Sequence, residues 1–169
     1  VRRLYLLRHA KSCWDAPDLP DRLRPLARRG RTAVTALARH MRAAGIAPGL
    51  VLCSPAARAV QTWEGVASGL PAGTATELDE ALYGANAHGL LERVRRLPPD
   101  IDSVLVVWHN PGLEDLTLAL VGDGDPALRR RLATKFPTGA LATLDAPGAW
   151  QDLGWGTATL VAYVLPREL

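Results

Sequence analysis

"LYLLRHAKS" (residues 4–12) and "SVLVVWHNPG" (residues 103–112) decide how this chain folds. Each opens as an apolar run and stops on a histidine. Leu4 to Leu7 gives way to Arg8-His9, and Val104 to Trp108 gives way to His109. Continuous apolar runs without alternation mark strands buried on both faces. Such strands belong to largely parallel sheets with helices packed on each side. Open sheets of that kind bind ligands outside the carboxyl ends of their strands. Residues that are costly to desolvate are expected at such a rim.

The rest of the chain supplies the helices. "RPLARRGRTAVTALARHMRAAG" (24–45) places Val34, Leu37, Ala38 and Met41 on one helical face, and Gly45 is positioned to end it, with Pro48 soon after. "LVLCS" (50–54) reads as a second short strand. Ser54-Pro55 then read as the cap and first turn of a helix reaching about Ser68. A third strand is expected near Thr74–Leu78. "AHGLLERVRRL" and "GLEDLTLALVG" read as helices on either side of the 103–108 strand. After Pro137-Thr138-Gly139, "ALATLD" and "TLVAYVL" read as antiparallel edge strands, and "GDGDP" (122–126) as an acidic turn. The expected fold is α/β: a three-layer αβα sandwich with a mostly parallel central sheet, helices on both faces and an antiparallel edge near the C-terminus. It is expected to form one domain over 1–169.

Composition narrows the function. The chain is 48% hydrophobic and 22% charged, as a globular domain is, and its net charge of +3 is too mild to argue for nucleic acid. Arginines cluster in "DRLRPLARRGR" (21–31) and "LRRRLATK" (128–135), which read as solvated faces. No aromatic residues interleave them as a base-stacking platform would require. No run approaches the roughly 18 apolar residues of a membrane span. Cys13 and Cys53 form neither a CxxC pair nor a metal spacing, so a cytoplasmic protein with free thiols is expected, binding neither nucleic acid nor membrane. Partners and oligomeric state are not encoded in any motif.

Four side chains carry candidate chemistry. Arg8, His9 and His109 end strands, and Arg58 lies in the first turns of the helix after Ser54. A helix N-terminus attracts anions, and an arginine fork matches phosphate geometry. Two histidines beside two arginines suit a phosphoryl group in transfer, whose charge spreads over three oxygens. Imidazole can attack phosphorus directly, so no metal or cofactor is required. There is no HxH or HExxH pair. A leaving alcohol would need a proton from a carboxylic acid, and "ELDEALYGA" offers Glu77, Asp79 and Glu80 without choosing among them.

These segments resemble the histidine phosphatase superfamily. "LYLLRHAKS" is similar to its RHG signature with Ala10 at the glycine, "SPAARAVQT" to its SPxxRxxQT segment, and "VVWHNPGLEDL" to its second-histidine segment. The three occur in the family's order. With "ALYGA" and "FPTGAL", the wording looks most like the SixA-type phosphohistidine phosphatases. The resemblance implies that His9 is the nucleophile that becomes phosphohistidine, and that Arg8, Arg58 and His109 complete the phosphate pocket. It also implies that Glu80, in Leu78-Asp79-Glu80-Ala81-Leu82-Tyr83-Gly84, is the acid. The short interval between Arg58 and His109 leaves little chain for a lid, so an open pocket suited to a phosphorylated protein is expected. The alternatives are a phosphatase or mutase for a small phosphorylated metabolite, and a non-catalytic phosphate-recognition module.

Overall fold

A computed structural model describes residues 1–169. In chain order the elements are β1 (Arg2–Arg8), α1 (Arg28–Ala43), β2 (Leu50–Cys53), α2 (Ala57–Val66), β3 (Thr76–Leu78) and α3 (Ala87–Arg95). There follow β4 (Ser103–Trp108), α4 (Gly112–Leu120), β5 (Val121–Gly124), α5 (Pro126–Thr134), β6 (Leu141–Ala146) and β7 (Ala158–Val164). The strands form one sheet in the order β3-β2-β4-β1-β6-β7-β5. β3, β2, β4 and β1 are mutually parallel, and β6 runs antiparallel to both β1 and β7.

Two cores flank this sheet. Leu7, Val51, Val107 and Leu105 face one side and meet Val34, Leu37 and Met41 of α1 and Ala59 and Val66 of α2. Leu4, Leu6, Leu52, Val104 and Val106 face the other and meet Leu90, Leu91 and Val94 of α3 and Leu113, Leu116 and Leu120 of α4. Alternation of side chains across each strand feeds both layers, which is why the runs read as continuously apolar. This is the three-layer α/β sandwich the sequence predicts.

The placement of several pieces differs from expectation. The antiparallel strand β6 lies inside the sheet beside β1, and the edge is β5. β5 arises from the segment read as a helix end and acidic turn. Its pairing with β7 supplies order that GDG alone does not, and a Cβ on Gly122 would lie 2.0 Å from the Gly156 carbonyl oxygen. Asp125 then caps α5, accepting from the Ala127 and Leu128 N–H groups, with Pro126 in the first turn. α2 starts at Ala57, three residues beyond Ser54, and its cap residue Ala56 makes no side-chain bond. Ser54 instead extends β2, donating its N–H to the Val107 oxygen at 3.0 Å. α1 begins at Arg28 and ends as expected. Gly45 at φ 68° donates to the Arg42 oxygen and Ile46 to the Met41 oxygen, a Schellman closure.

Candidate active site

The sheet register brings three strand ends level. Arg8 lies beside Trp108, and Cys53 beside Val107. The His9 N–H continues the ladder to the Trp108 oxygen at 3.0 Å. His9, Ser54 and His109 therefore leave β1, β2 and β4 at one rim, and Arg58 reaches it from the second position of α2. The loop from Phe136 to Gly139 closes the near side. The Phe136 oxygen accepts from Arg8 Nη1 at 3.0 Å and from Asn110 Nδ2 at 3.1 Å. Gly139, at φ 77°, donates its N–H to the oxygens of Arg8 and His9. A left-handed backbone there favours glycine.

His9 is buried, with 6% of its surface exposed. Its Nδ1 lies 2.7 Å from the Ala10 oxygen. A carbonyl can only accept, so Nδ1 carries the proton and Nε2 keeps its lone pair. Burial pushes the imidazole down to about 3, against the Ala10 bond, and the charges of Arg58 and Arg8 and the His109 ring push the same way. His109 is held at about 4, chiefly by burial and then by Arg58 and Arg8, with Asp21 opposing. The His109 ring packs at 5.3 Å from Trp108 and 6.2 Å, edge-on, from Tyr83. Both histidines are neutral at pH 7.

Arg58 is 7% exposed. Its Nη1 donates to the Asp21 backbone oxygen at 3.0 Å and its Nη2 to Asp21 Oδ2 at 3.2 Å. Asp21 is a hub: Oδ2 also accepts from the Tyr83 hydroxyl at 2.7 Å, and Oδ1 from Arg24 Nη2 at 3.3 Å. The Tyr83 bond, followed by the Arg58 and Arg24 guanidinium groups, holds the Asp21 carboxyl below the usual range. Arg24 bonds the Ser12 hydroxyl and lies 3.6 Å from the centre of the Trp14 ring. Thr62 ties α2 to the signature: its Oγ1 accepts from the Ala10 N–H at 2.9 Å and donates to the Arg58 oxygen at 2.7 Å. Gln61 Oε1 accepts from the Leu26 N–H at 2.8 Å, anchoring the start of α1.

One feature separates this rim from the rest of the molecule. Five buried side-chain nitrogens lack a hydrogen-bond partner, and four of them are here: Nε of Arg8, Arg24 and Arg58, and Nε2 of His109. Each unmade bond of a buried polar group costs on the order of 1–3 kcal/mol. Their concentration at one place leaves the rim with buried nitrogens still able to bond an anion. Positive charge and a neutral imidazole share the same rim.

Glu80 is placed differently. Its side chain is 74% exposed and paired with Arg22, and that bond lowers its carboxyl from the ordinary value. Its charge bears on neither histidine. An acid at neutral pH needs the opposite shift. Asp79 and Glu77 are engaged by Arg93. Sequence reading missed Asp21, Arg24, Tyr83 and Thr62. Asp21 and Arg24 fall in a run read as a solvated face, yet Arg24 is buried against Ser12. Nothing in its spacing signals this; the Gln61-Thr62 pair was visible in "SPAARAVQT" but carried no assigned role.

The sequence profile of the histidine phosphatase superfamily (branch 1) matches residues 4–117. An uncharacterized protein of Mycobacterium tuberculosis is 37% identical over 164 residues, covering 95% of this chain and 100% of that protein. A structure named as a phosphohistidine phosphatase SixA from Nakamurella multipartitia is 31% identical, with a TM-score of 0.84 over 98% of this chain and 96% of that one. One of the same name from Agrobacterium tumefaciens is 30% identical, with a TM-score of 0.83 over 98% of each chain. No helix here is long and apolar enough to cross a membrane.

Proposed function

Because the chain belongs to the histidine phosphatase superfamily, branch 1, we propose that it removes phosphoryl groups from protein phosphohistidine through a covalent phosphohistidine on His9. That it is a phosphatase follows from the family together with its likeness to the SixA-type structures. The observation that carries the finer reading is the set of buried nitrogens without a protein partner on Arg8, Arg58 and His109, all of which bear on a neutral, Nδ1-protonated His9.

The chemistry runs in two displacements. His9 Nε2 attacks phosphorus, a new P–N bond forms, and the substrate's P–N bond breaks. The substrate reacts as its ring-protonated form, so the leaving imidazole keeps that proton on its other nitrogen, departs neutral and takes none from the enzyme. Water then attacks the phosphohistidine, the P–N bond to Nε2 breaks to return His9 as the neutral Nδ1-protonated ring, and both of the water's protons leave with the phosphate, which gives one up to solvent. In both steps Arg8, Arg58 and His109 hold the oxygens on which charge concentrates. A neutral His109 donates one hydrogen bond and adds no charge. The positive charge comes from the guanidinium groups, and this supports a reaction that proceeds without metal.

A substrate of this kind also fits the carboxylates. Neither Glu80 nor Asp21 is held protonated, and an alkyl phosphate ester would leave poorly without an acid. A phosphoramidate does not make that demand.

The test is turnover of a phosphohistidine peptide in the presence of chelator, with rapid quench into alkali. An acid-labile phosphoenzyme is expected in the native protein and absent in His9→Ala. Full turnover by His9→Ala, or a requirement for added metal, overturns the proposal.

A further inference from the structure

Beside the catalytic rim lies a groove of about 600 Å³ between α1 and the C-terminal turn. Four cations line it: Lys11, Arg29, Lys135 and Arg167. The chain has two lysines, and both are here. None of the four side chains takes part in an ion pair, whereas Arg3, Arg93 and Arg131 each meet a carboxylate. No acidic side chain lines the groove. Its lining includes small and apolar side chains, Ala33 and Ala36 about one turn apart on α1 and Leu165 and Pro166 from the C-terminal turn.

Unpaired cations occur elsewhere on the surface. What distinguishes these is that the groove is built from the catalytic loops themselves. Lys11 follows His9 by two residues, and its oxygen accepts from the Ala27 N–H at 2.8 Å. α1 rests directly on that backbone, since a Cβ on Gly30 would lie 2.2 Å from the Lys11 oxygen. Pro137 and Thr138, which also line the groove, sit between Phe136, which receives Arg8, and Gly139, which bonds the oxygens of Arg8 and His9.

We infer that this groove binds an acidic, amphipathic segment of the phosphoprotein substrate, so that its carboxylates meet Lys11, Arg29, Lys135 and Arg167 while its phosphohistidine enters at His9. The inference rests on the phosphohistidine reading above. A phosphoryl group alone occupies only the rim, so a groove that shares the Lys11 and Pro137-Thr138 loops with it acts on the part of the substrate that is not transferred. Alanines in the lining let a partner backbone or small apolar side chain approach closely. Nucleic acid is disfavoured as the occupant because no aromatic side chain lines the groove for a base to stack on. Complementary charge of this type acts mainly on encounter and selection, and salt screens it.

The probes are two phosphohistidine peptides, identical except that the flanking amphipathic segment carries Glu in one and Gln in the other, together with free phosphohistidine. The native protein is expected to favour the Glu peptide by about tenfold in kcat/KM, through KM, and to lose that preference as salt rises. Arg29→Glu with Lys135→Glu is expected to abolish or reverse the preference and to leave turnover of free phosphohistidine unchanged, which also shows that the variant is folded. Equal kcat/KM for the two peptides in the native protein overturns the groove assignment but not the phosphatase reading. Turnover of none of the three probes overturns the phosphohistidine reading, and the occupant with it. A single-stranded oligonucleotide that competes below the concentration of the unphosphorylated Glu peptide would reassign the groove to nucleic acid.

Discussion

Arg58 and Arg93 are both well-covered arginines on helices, yet they are satisfied to different degrees. Arg93, on α3, gives Nε to Asp79 at 2.7 Å and Nη2 to Glu77 at 2.9 Å. Arg58, on α2, shares the single carboxylate of Asp21 with Arg24 and Tyr83, and its buried Nε has no acceptor. Arg93 has two anions of its own. Arg58 has part of one. Both arginines are held in place by the fold, but only Arg58 has a buried nitrogen without an acceptor, and it lies beside two neutral histidines.

The sharpest way to break this comparison is to replace both guanidinium groups by an ammonium. Arg58→Lys keeps the charge but removes the fork, and a drop of about a hundredfold or more in kcat/KM is expected on any phosphorylated substrate. Arg93→Lys is expected to leave kcat/KM within about twofold and to cost on the order of 1 kcal/mol in denaturant unfolding. Steady-state kinetics and urea titrations of the two variants decide the matter. A loss of activity in Arg93→Lys matching that in Arg58→Lys would erase the distinction.

The fold and the rim were legible in the sequence for one physical reason. A strand buried on both faces has no choice but apolar residues, so the places where Leu4–Leu7 and Val104–Trp108 stop are visible as abrupt changes. Arg8, His9 and His109 stand at those stops. Asp21, Arg24 and Tyr83 do not, because they reach the site from loops and a 3-10 turn, where no periodicity reports direction. β5 was illegible for a related reason: Val121–Gly124 pairs with β7 across nearly forty residues, and its own composition argues against a strand. Glu80 was nominated only by the family resemblance of its Tyr-Gly segment, and a resemblance cannot see that Arg22 lies against it. Legibility ended where contacts became long-range and polar.

A smaller effect follows from the buried histidines. Their values of about 3 and about 4 in the folded chain lie below the roughly 6.5 of an unfolded histidine. Between about pH 4 and 6.5 the unfolded chain therefore binds more protons, and stability rises with pH across that window and levels off above it. The midpoint of urea unfolding in phosphate-free buffer is expected to climb from pH 4.5 to pH 6.5 and then hold. His9→Asn with His109→Asn is expected to flatten that climb, whereas Arg93→Lys is not. A slope that survives in the double variant would place the titrating groups elsewhere.

The smallest expected effect is at Glu80, and it separates the exposed ion pair from the buried rim most finely. Glu80 is bonded to Arg22 in the open, and its carboxyl is lowered rather than raised, so at neutral pH it has no proton to give. Screening by water leaves such a pair worth little. Glu80→Gln is therefore expected to change phosphohistidine turnover by no more than about twofold. Phosphoserine, whose alkoxide leaving group does need a proton, gives the contrast. The native protein is expected to cleave it poorly already, because Asp21 and Glu80 are both held below the ordinary carboxyl range, and Glu80→Gln should add little to that deficit. If the variant instead loses phosphoserine cleavage while keeping phosphohistidine cleavage, substrate must draw Glu80 away from Arg22 and bring it over the leaving group. The exposed carboxylate would then belong to the same machinery as the buried arginines.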